Sequence, residues 1–403
     1  MSSKPRIAII GAGLGGLTAA ILLQRAGYDP VVFEQSSQIA RIGAGINLWP
    51  NSTRILQALG FDSELRKIGT TPENWLNCEW DSGRVYFQQP AEDWLAQYGA
   101  PHLILHRGDL QGYMIDALHE GTIRYSKSLR DVQETREGIV MTFRDGSTEM
   151  ADMVIGADGI NSVVRETLLG AEPPKYTGNV AYRGVFPSSL LGDYKLRSDA
   201  GKYWSDDRHP AQEDRHFIFY YLTHAKDEIY FVTGSPEPNW QGGANPVDVE
   251  MSEIKECYKG FHEDVQRIID ACPKATKWPL LTRDPLPLWS RGRIVLLGDA
   301  CHPMKPHMGQ GAGMAIEDAV ILVRCIAASQ GDYAGAFELY KANRIDRATR
   351  VQQISNVNIW LRYPTDPSWC FGYDATTVAL HTAEGEPYAA KTYAELVEAA
   401  VRD

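Results

Sequence analysis

The chain has 403 residues, 44% of them apolar and 23% charged, which is ordinary for a globular protein with one large or two closely packed domains. Its net charge of −11 excludes nucleic acid as an expected partner, because binding phosphates requires a basic surface. Six scattered cysteines without CxxC spacing indicate neither a disulfide framework nor a metal site, and no apolar run approaches the roughly 20 residues that span a bilayer.

The N-terminal segment predicts a strand, a glycine-rich turn, a helix and a second strand in succession. Residues 6–10 form a short β-branched run that is typical of a buried parallel strand, and the turn GAGLGG follows at residues 11–16. Residues 17–26 predict a helix that Gly27 ends, and residues 31–33 predict the second strand. Because this pattern begins at once, with no signal-peptide layout before it, we expect a cytoplasmic protein.

Each part of this unit has a role in binding a dinucleotide. Gly11 permits the tight turn, Gly13 lets the backbone approach a pyrophosphate, and Gly16 allows the helix to pack closely on the strand. The helix N-terminus offers free N–H groups, and Glu34 at the end of the second strand suits a ribose diol. The alternative is a purely structural turn, and the motif alone does not separate NAD from FAD.

Two later segments favour FAD. Residues 153–159 predict a strand that runs into a tight turn, and residues 294–297 predict another strand that leads to Asp299. A carboxylate at the carboxyl end of a parallel strand points into the ligand crevice, where Asp299 suits a polyol such as ribitol. The glycine run at 309–313 presents N–H groups at a helix start, which suits a flavin oxygen. The alternative is an ordinary strand–loop–helix crossover.

The remaining segments have a different pattern. Residues 176–235 alternate between apolar and polar positions with turn residues between the runs, which predicts antiparallel strands that cover one face of the ligand. Residues 236–247 predict a loop, and residues 248–271 predict helix. The chain is therefore predicted to divide into a nucleotide-binding domain of residues 1–75, 103–175 and 280–345, a substrate domain of residues 76–102 and 176–279, and a C-terminal helical segment of residues 346–403.

Four motifs, taken in chain order, resemble the FAD-binding signature of the class A flavin-dependent aromatic hydroxylases. They are GAGLGG, HRGDL, DMVIGADGINSVVR and GDACHPMKPHMGQGAGMAIEDA. The resemblance implies an α/β fold with a Rossmann-like (GR2) FAD-binding domain, an inserted antiparallel β-sheet substrate domain and a C-terminal helical segment. It also implies a monooxygenase that uses FAD, dioxygen and a nicotinamide cofactor, with NADH preferred to NADPH, and it leaves a homodimer open.

The same resemblance assigns cofactor contacts residue by residue. Arg107 would contact the FAD diphosphate or ribityl region, and Asp158 with Gly159 would serve both FAD and NAD(P)H. Asp299 would hold the ribityl chain, and Ala44 would belong to a mobile segment beside the flavin. The full set of cofactor residues that the resemblance implies is Gly11, Gly13, Gly15, Gly16, Glu34, Gln35, Arg41, Gly45, Arg107, Leu110, Asp158, Gly159, Asp299, Pro306, Gly309, Gly311, Ala312, Gly313 and Met314.

Within this class, three longer stretches resemble the 6-hydroxynicotinate 3-monooxygenases, which hydroxylate their substrate with loss of CO₂. They are YWSDDRH from residue 203, KWPLLTRDPLPLWSRGRIVLLGDACHPMKPHMGQGAGMAIEDA from residue 277, and PSWCFGYD from residue 367. The resemblance implies that His216 and Tyr220 line the substrate pocket and that His302 lies near the flavin. It predicts a hydroxylated pyridine carboxylate as the substrate.

The chemistry of this class requires such side chains. A C4a-hydroperoxyflavin is an electrophile, so the substrate ring must become electron-rich by losing its hydroxyl proton, and histidine is suited to accept that proton. His216 and Tyr220 are four residues apart, so on one strand their side chains share a face. The alternative is that both only pack within the sheet. Of the two histidines beside the prolines, His302 is the favoured contact and His307 is the other candidate.

The predicted pocket departs from the 6-hydroxynicotinate enzymes in three places. Asn47 stands where they carry His, Ala200 stands where they carry Cys, and residues 209–215 are additional. Because these differences fall on expected substrate contacts, 6-hydroxypicolinate or a hydroxybenzoate such as salicylate stays open as the substrate. Two other kinds of function remain as alternatives. One is a flavin halogenase or a reductase of the same fold, although this sequence lacks the WxWxIP element of the halogenases. The other is a non-catalytic flavin sensor, which needs no oxygen-activating cavity.

Overall fold

The computed structural model describes residues 4–39, 41, 45–73, 75–89, 91–205 and 215–402. Ala44, the additional residues 209–214 and part of the YWSDDRH stretch lie outside these ranges. The strands, in chain order, are β1 Ile7–Ile10, β2 Pro30–Phe33, β3 Gly45–Leu48, β4 Gly69–Thr70, β5 Trp75–Glu79, β6 Val85–Gln89, β7 Leu103–His106, β8 Ile123–Arg124, β9 Leu129–Glu134, β10 Ile139–Phe143, β11 Thr148–Ala151, β12 Met153–Gly156, β13 Lys175–Pro187, β14 Ala200–Trp204, β15 His216–Tyr221, β16 Glu228–Pro236, β17 Val247–Val249, β18 Ala275–Thr282, β19 Ser290–Arg291, β20 Ile294–Leu296, β21 Leu380–His381 and β22 Pro387–Tyr388.

Helices fill the segments between these strands and form most of residues 311–357. None of those in the described ranges is long and apolar enough to cross a membrane. The helices are α1 Leu14–Arg25, α2 Pro50–Ala58, α3 Asp62–Ile68, α4 Ala91–Tyr98, α5 Arg107–Asp116, α6 Val163–Leu169, α7 Met251–Cys257, α8 Glu263–Ala271, α9 Gly311–Ala328, α10 Tyr333–Val357, α11 Ser368–Phe371 and α12 Tyr393–Arg402.

The first large sheet is built around β1, whose residues are all buried. Its order is β19-β20-β12-β1-β2-β8, and every neighbouring pair from β20 to β8 runs parallel. α1 begins at Leu14, three residues before the predicted start, because Gly13 caps the helix in an extended conformation (φ −70°, ψ 173°). The first turn of α1 therefore includes the last two glycines of GAGLGG. The parallel sheet expected of a Rossmann-like domain is confirmed.

The second large sheet has the order β17-β18-β13-β16-β15-β14-β5-β6. Its neighbours pair antiparallel, except that β14 and β5 are parallel. One face packs on α7 and α8 through aromatic side chains such as Phe217, Phe231 and Tyr258. Because successive side chains on a strand point to opposite faces, the alternate residues face the other way. The predicted antiparallel sheet is confirmed, apart from its one parallel pair, and its second face is available to line a site.

Helices α9 and α10 are joined by a cluster of buried charges. Arg344 on α10 is fully buried, and its guanidinium lies 2.7 Å from both the Glu317 and the Asp318 carboxylates of α9. Arg347 adds a contact of 2.8 Å to Glu317. Each buried carboxylate thus has a cationic partner, which is the condition under which buried charges are tolerated.

Four of the predicted domain boundaries fall inside secondary-structure elements. Residue 75 lies in β5, residue 175 lies in β13, residue 279 lies in β18, and residue 345 lies in the middle of α10. The sequence pattern changes where the environment of the side chains changes, whereas an element ends where its backbone hydrogen bonds end. The division into three parts remains a prediction, with the two large sheets drawing their strands from the expected segments.

Candidate active site

A cavity of about 390 Å³ lies between the parallel sheet and the second large sheet, and residues from both line it. The parallel sheet contributes the loops at the carboxyl ends of its strands, where open α/β sheets bind ligands. The second sheet contributes the face turned away from α7 and α8. The predicted cofactor residues that line the cavity are Gly13, Gly15, Gly16, Gly45, Arg107, Gly159, Asp299, Pro306, Gly309, Gly311 and Ala312.

The turn before α1 is shaped for close approach of a negatively charged group. Gly11 has φ +104°, and a Cβ at Gly16 would overlap the Gly11 carbonyl oxygen, so neither position accepts a side chain without opening the turn. No side chain caps the first turn of α1. Its N–H groups and the positive end of the helix dipole therefore face the cavity, which fits a diphosphate.

Glu34 stabilises this turn from the end of β2. Its carboxylate accepts hydrogen bonds from the backbone N–H of Ala12 at 2.9 Å and of Ser36 at 2.8 Å, and its side chain is buried. Each carboxylate oxygen keeps a second lone pair, so the predicted contact with a ribose diol is compatible with this role. Gln35 beside it is exposed and is not among the residues that line the cavity.

Some predicted cofactor residues support the site from outside the cavity lining. Asp158 accepts hydrogen bonds from the backbone N–H groups of Val163 and Val164 at 2.8 and 3.2 Å, so it holds the start of α6. Arg41 pairs with Asp109 and Glu228, and the hydrogen bonds that it donates to Glu228 and Asp109 raise its pKa. Three others are positioned mainly by packing within the protein: Leu110, Gly313 and Met314.

Asp299, in the Gly-Asp turn after β20, contributes a carboxylate to the lining of the cavity. Its side chain is exposed to the cavity, while the surrounding protein buries it from bulk water and raises the pKa of its carboxyl. The preceding residue, Gly298, donates its backbone N–H to Asp318 at 3.1 Å. The buried charge cluster therefore positions the turn that carries Asp299.

One row of side chains crosses the inner face of the second sheet. Lys202 on β14 is in register with Asn77 on β5 and with Ile218 on β15, and the row continues through Val232 to Arg183. All five residues line the cavity. Lys202 and Asn77 are buried, with only 4% and 1% of their surface exposed. Sequence reasoning named Ala200 on the same strand but missed Lys202, although strand alternation places residues 200 and 202 on one face.

The next row carries Tyr220. Tyr220 and Tyr230 lie side by side on β15 and β16, with ring centroids 5.2 Å apart, and both line the cavity. A Cβ at Gly45 would lie 2.5 Å from the Tyr220 ring, so only glycine lets β3 pack this closely. Burial raises the pKa of Tyr220 well above its usual value, which keeps the phenol protonated. Ala200, opposite Tyr220, is fully buried and is not among the lining residues.

His216 and His307 meet beside this row. Their rings are 5.3 Å apart in an edge-on arrangement, and His307 lines the cavity whereas His216 lies behind it. Asn358 accepts a hydrogen bond from Lys202 at 2.8 Å and donates one to His216 Nδ1 at 3.2 Å. Burial, together with Lys202, lowers the pKa of both imidazoles, to about 3 for His307, so both are neutral near pH 7.

His302 belongs to the buried charge cluster, and its predicted place near the flavin stays a prediction. Its Nε2 lies 2.5 Å from Asp318, its ring packs on Trp289, and it is not among the lining residues. Although burial lowers the pKa of His302, the Asp318 carboxylate raises it well above its usual value. The ring therefore completes the buried charge cluster, and of the two histidines beside the prolines the structure brings His307 to the cavity.

Asn47 lines the cavity and makes a contact that the sequence did not indicate. Its Oδ1 lies 2.9 Å from Nε2 of His102, whose ring stacks on Trp49 with centroids 4.0 Å apart. Burial lowers the pKa of His102 to about 3, so the neutral ring donates its Nε2–H to Asn47. His102 was missed because it lies 55 residues away in the sequence and only strand pairing of β3 with β7 brings the two segments together.

Comparison with known proteins identifies the family. The family model described as "FAD binding domain" matches residues 4–355. A 6-hydroxynicotinate 3-monooxygenase of Bordetella bronchiseptica is 49% identical over 93% of this chain and 96% of its own length. The enzyme of the same name from Pseudomonas fluorescens is 48% identical over 94% of this chain and 98% of its own length.

Solved structures agree with this assignment. A salicylate hydroxylase substrate complex has a TM-score of 0.78 at 25% identity, covering 93% of this chain and 97% of that one. Klebsiella pneumoniae HpxO, complexed with FAD and uric acid, has a TM-score of 0.77 at 25% identity, covering 98% and 93% of the two chains. The glycine turn, the uncapped start of α1 and the full-length relatives together show that this chain belongs to the class A FAD-dependent aromatic monooxygenases.

Proposed function

We propose that this protein is a cytoplasmic, NADH-using monooxygenase that hydroxylates a hydroxylated pyridine carboxylate, with 6-hydroxynicotinate as the first candidate. The observation that carries the proposal is one cavity lined both by the dinucleotide turn and by the polar row of the second sheet. A flavin held by the turn and a small ring on the sheet would then meet in one space. The two relatives named 6-hydroxynicotinate 3-monooxygenase support the choice of substrate.

The protein would hold the substrate ring through Tyr220 and the neutral histidines. Tyr220 offers a hydroxyl donor, and His307 donates Nδ1–H to the Ser355 carbonyl at 2.8 Å, which leaves its Nε2 as an acceptor. Such an acceptor receives a hydrogen bond from the hydroxyl of the substrate and so orients it. His216 would act behind His307, where its ring contacts the His307 ring edge-on.

Bound FAD would supply the activation of dioxygen and the transfer of one oxygen atom to the ring. The chain's own contribution is to exclude water from that step, through aromatic and apolar side chains such as Trp49, Trp75 and Trp360 that line the cavity. If the attacked carbon carries the carboxylate, CO₂ leaves with the hydroxylation. Decarboxylation is therefore part of the proposal for 6-hydroxynicotinate.

A panel of acids tests this function. We expect 6-hydroxynicotinate to stimulate NADH oxidation and oxygen uptake by the FAD-loaded protein, while nicotinate, which lacks the hydroxyl, does not. NADPH in place of NADH measures the preference for the reductant, and the product mass separates plain from decarboxylating hydroxylation. Oxygen uptake that no hydroxylated acid raises above the substrate-free rate contradicts the proposal.

A second candidate substrate has a specific observation in its favour. Asn47, which stands where the 6-hydroxynicotinate enzymes carry His, lines the cavity and is held by His102. A fixed amide presents a different hydrogen-bonding pattern from an imidazole, so the ring nitrogen or carboxylate of an isomer would be recognised differently. The same panel therefore includes 6-hydroxypicolinate and salicylate, and the acid with the highest kcat/KM identifies the substrate.

Replacing Tyr220 by phenylalanine is expected to lower kcat/KM for the preferred acid by about 100-fold, the lower end of the range for a positioned proton donor or acceptor. The amount of hydroxylated product per NADH should fall as well, because a poorly oriented ring is attacked less often. The matched control is Tyr221→Phe, since the neighbouring side chain points to the opposite face of β15. Equal losses in the two variants would argue against a role for Tyr220 at the ring.

A further inference from the structure

A buried lysine without an acidic partner lies in the cavity wall. The Lys202 ammonium lies 2.8 Å from the Asn358 amide oxygen and 3.5 Å from the centroid of the Trp204 ring. Within the described ranges, no carboxylate forms an ion pair with it. Glu79 lies two residues after Asn77 on β5 and forms an ion pair with Arg84. The amine is thus withdrawn from water without a carboxylate partner.

The groups around Lys202 do not supply that charge. Arg362 and the imidazoles of His216 and His307 face it from the neighbouring segments, and burial together with Arg362 holds the pKa of Lys202 well below its usual range. Among the described residues that line the cavity, Asp299 is the one that carries a carboxylate. Burial disfavours the charged form of a lysine that has no counter-charge, and an anionic ligand would stabilise that form when it binds.

An amide donor without a partner in the described residues lies beside Lys202. The Asn77 amide oxygen accepts a hydrogen bond from the Trp204 indole at 3.1 Å, which fixes the orientation of the amide. Its nitrogen is buried and has no hydrogen-bond partner within the described part of the chain. Because Asn77 and Lys202 are in direct register on β5 and β14, the Lys202 amine and the Asn77 amide lie next to each other on the cavity wall.

We propose that Lys202 and Asn77 bind the carboxylate of the substrate and so make this enzyme selective for acids over neutral rings. The two donors match the two oxygens of a carboxylate, and charge-assisted hydrogen bonds of this kind are the stronger ones. The proposal rests on the proposed function and names the subsite that recognises the acid group. Tyr220 and His307, on the adjoining part of the wall, then remain for the ring and its hydroxyl.

The test compares binding of acids with binding of their neutral amides. Each of 6-hydroxynicotinate, 6-hydroxypicolinate and salicylate is titrated against the FAD-loaded protein with its amide, and the change in flavin absorbance gives the Kd. We expect the wild-type protein to prefer the best acid over its amide by about 100-fold, and Lys202→Met to reduce that preference to about threefold. Asn77→Ala should reduce it by about 10-fold.

Two controls separate recognition from folding. Lys202→Arg keeps a basic side chain and should recover most of the preference for the acid over its amide. If Lys202 had only a structural role, the arginine would not restore this preference. Lys226→Met removes a lysine that pairs with Asp199 outside the cavity and should leave the ratio unchanged. Lys202→Met should unfold at no lower denaturant concentration than the wild type, because it replaces a buried amine that has no carboxylate partner with an apolar side chain.

The outcomes distinguish this proposal from the proposed function. An acid-to-amide ratio that Lys202→Met leaves intact overturns the assignment of Lys202, and so does a wild-type protein that binds no acid or binds acids and amides equally. If acids bind in a manner that requires Lys202 but none is hydroxylated, the result supports the carboxylate subsite and contradicts the proposed reaction.

Discussion

Replacing Arg344 by methionine is expected to lower the free energy of unfolding by about 3–5 kcal/mol, the usual cost of removing one partner from a buried ion pair. The substitution would leave Glu317 with Arg347 and Asp318 with His302, each short of one donor. Because Asp318 also accepts the Gly298 N–H, we expect FAD to be released more easily as well. Denaturant unfolding and the FAD content of the purified protein measure the two effects.

The pH range in which this loss appears follows from the cluster. Although burial raises the pKa of Asp318, His302 and Arg344 lower it to about 2. A carboxyl whose pKa is lowered in the folded state contributes stability above its unfolded pKa of about 3.9, and the contribution is lost as the pH falls toward 2. The difference between wild type and Arg344→Met should therefore be full between pH 5 and 7.

The matched control for this prediction is Arg350→Met on the same helix. Arg350 is exposed and its guanidinium lies 3.8 Å from the centroid of the Trp369 ring, so its loss should cost about 1 kcal/mol or less. A destabilisation by Arg344→Met no greater than that of Arg350→Met would contradict the importance of the buried cluster.

Replacing Gly16 by alanine is expected to weaken FAD binding by about 10–100-fold, as the loss of hydrogen bonds to a charged group implies. The added methyl group would overlap the Gly11 carbonyl oxygen, and Gly11, at φ +104°, has little freedom to move away. The turn would have to open, which displaces the N–H groups at the start of α1 from the diphosphate. Flavin fluorescence titration of the apoprotein gives the Kd.

Gly112→Ala provides the control for Gly16→Ala. Gly112 lies inside α5, and its Cβ would meet no atom within 4 Å, so alanine should raise helix stability by up to about 1 kcal/mol and leave FAD binding unchanged. If Gly16→Ala bound FAD as tightly as Gly112→Ala does, the packing role of Gly16 in the dinucleotide turn would be wrong.

The nucleotide half was predictable because its signals are local. A buried β-branched run, a glycine turn and a helix lie within about twenty residues, and the backbone conformations of that unit follow from the residues themselves. The prediction missed only detail, such as the start of α1 at Leu14, which the cap at Gly13 sets. The Gly-Asp turn before Asp299 was predictable for the same reason.

The inner face of the second sheet was much less predictable, because the residues that meet there depend on the register of strand pairing. His216 and Tyr220 were named from resemblance and strand period, but Lys202, Asn77 and His102 were not. Each lies beside its partner only after strands distant in the sequence have paired, and a shift of one residue would turn a side chain to the other face. A polar residue on a strand carries no local sign of the face or the neighbour it will have.

The two histidines beside the prolines show the same limit. Residues 302 and 307 occur in one loop with similar surroundings in the sequence, and the sequence favoured His302. In the tertiary structure His302 contacts Asp318 in the buried charge cluster, whereas His307 lines the cavity. The local sequence determined that this chain forms a dinucleotide-binding turn and a second, mainly antiparallel sheet, because glycine positions and apolar alternation act over a few residues. Long-range strand pairing and charge pairing decided which polar groups meet in the cavity, because those interactions join residues that are far apart in the chain.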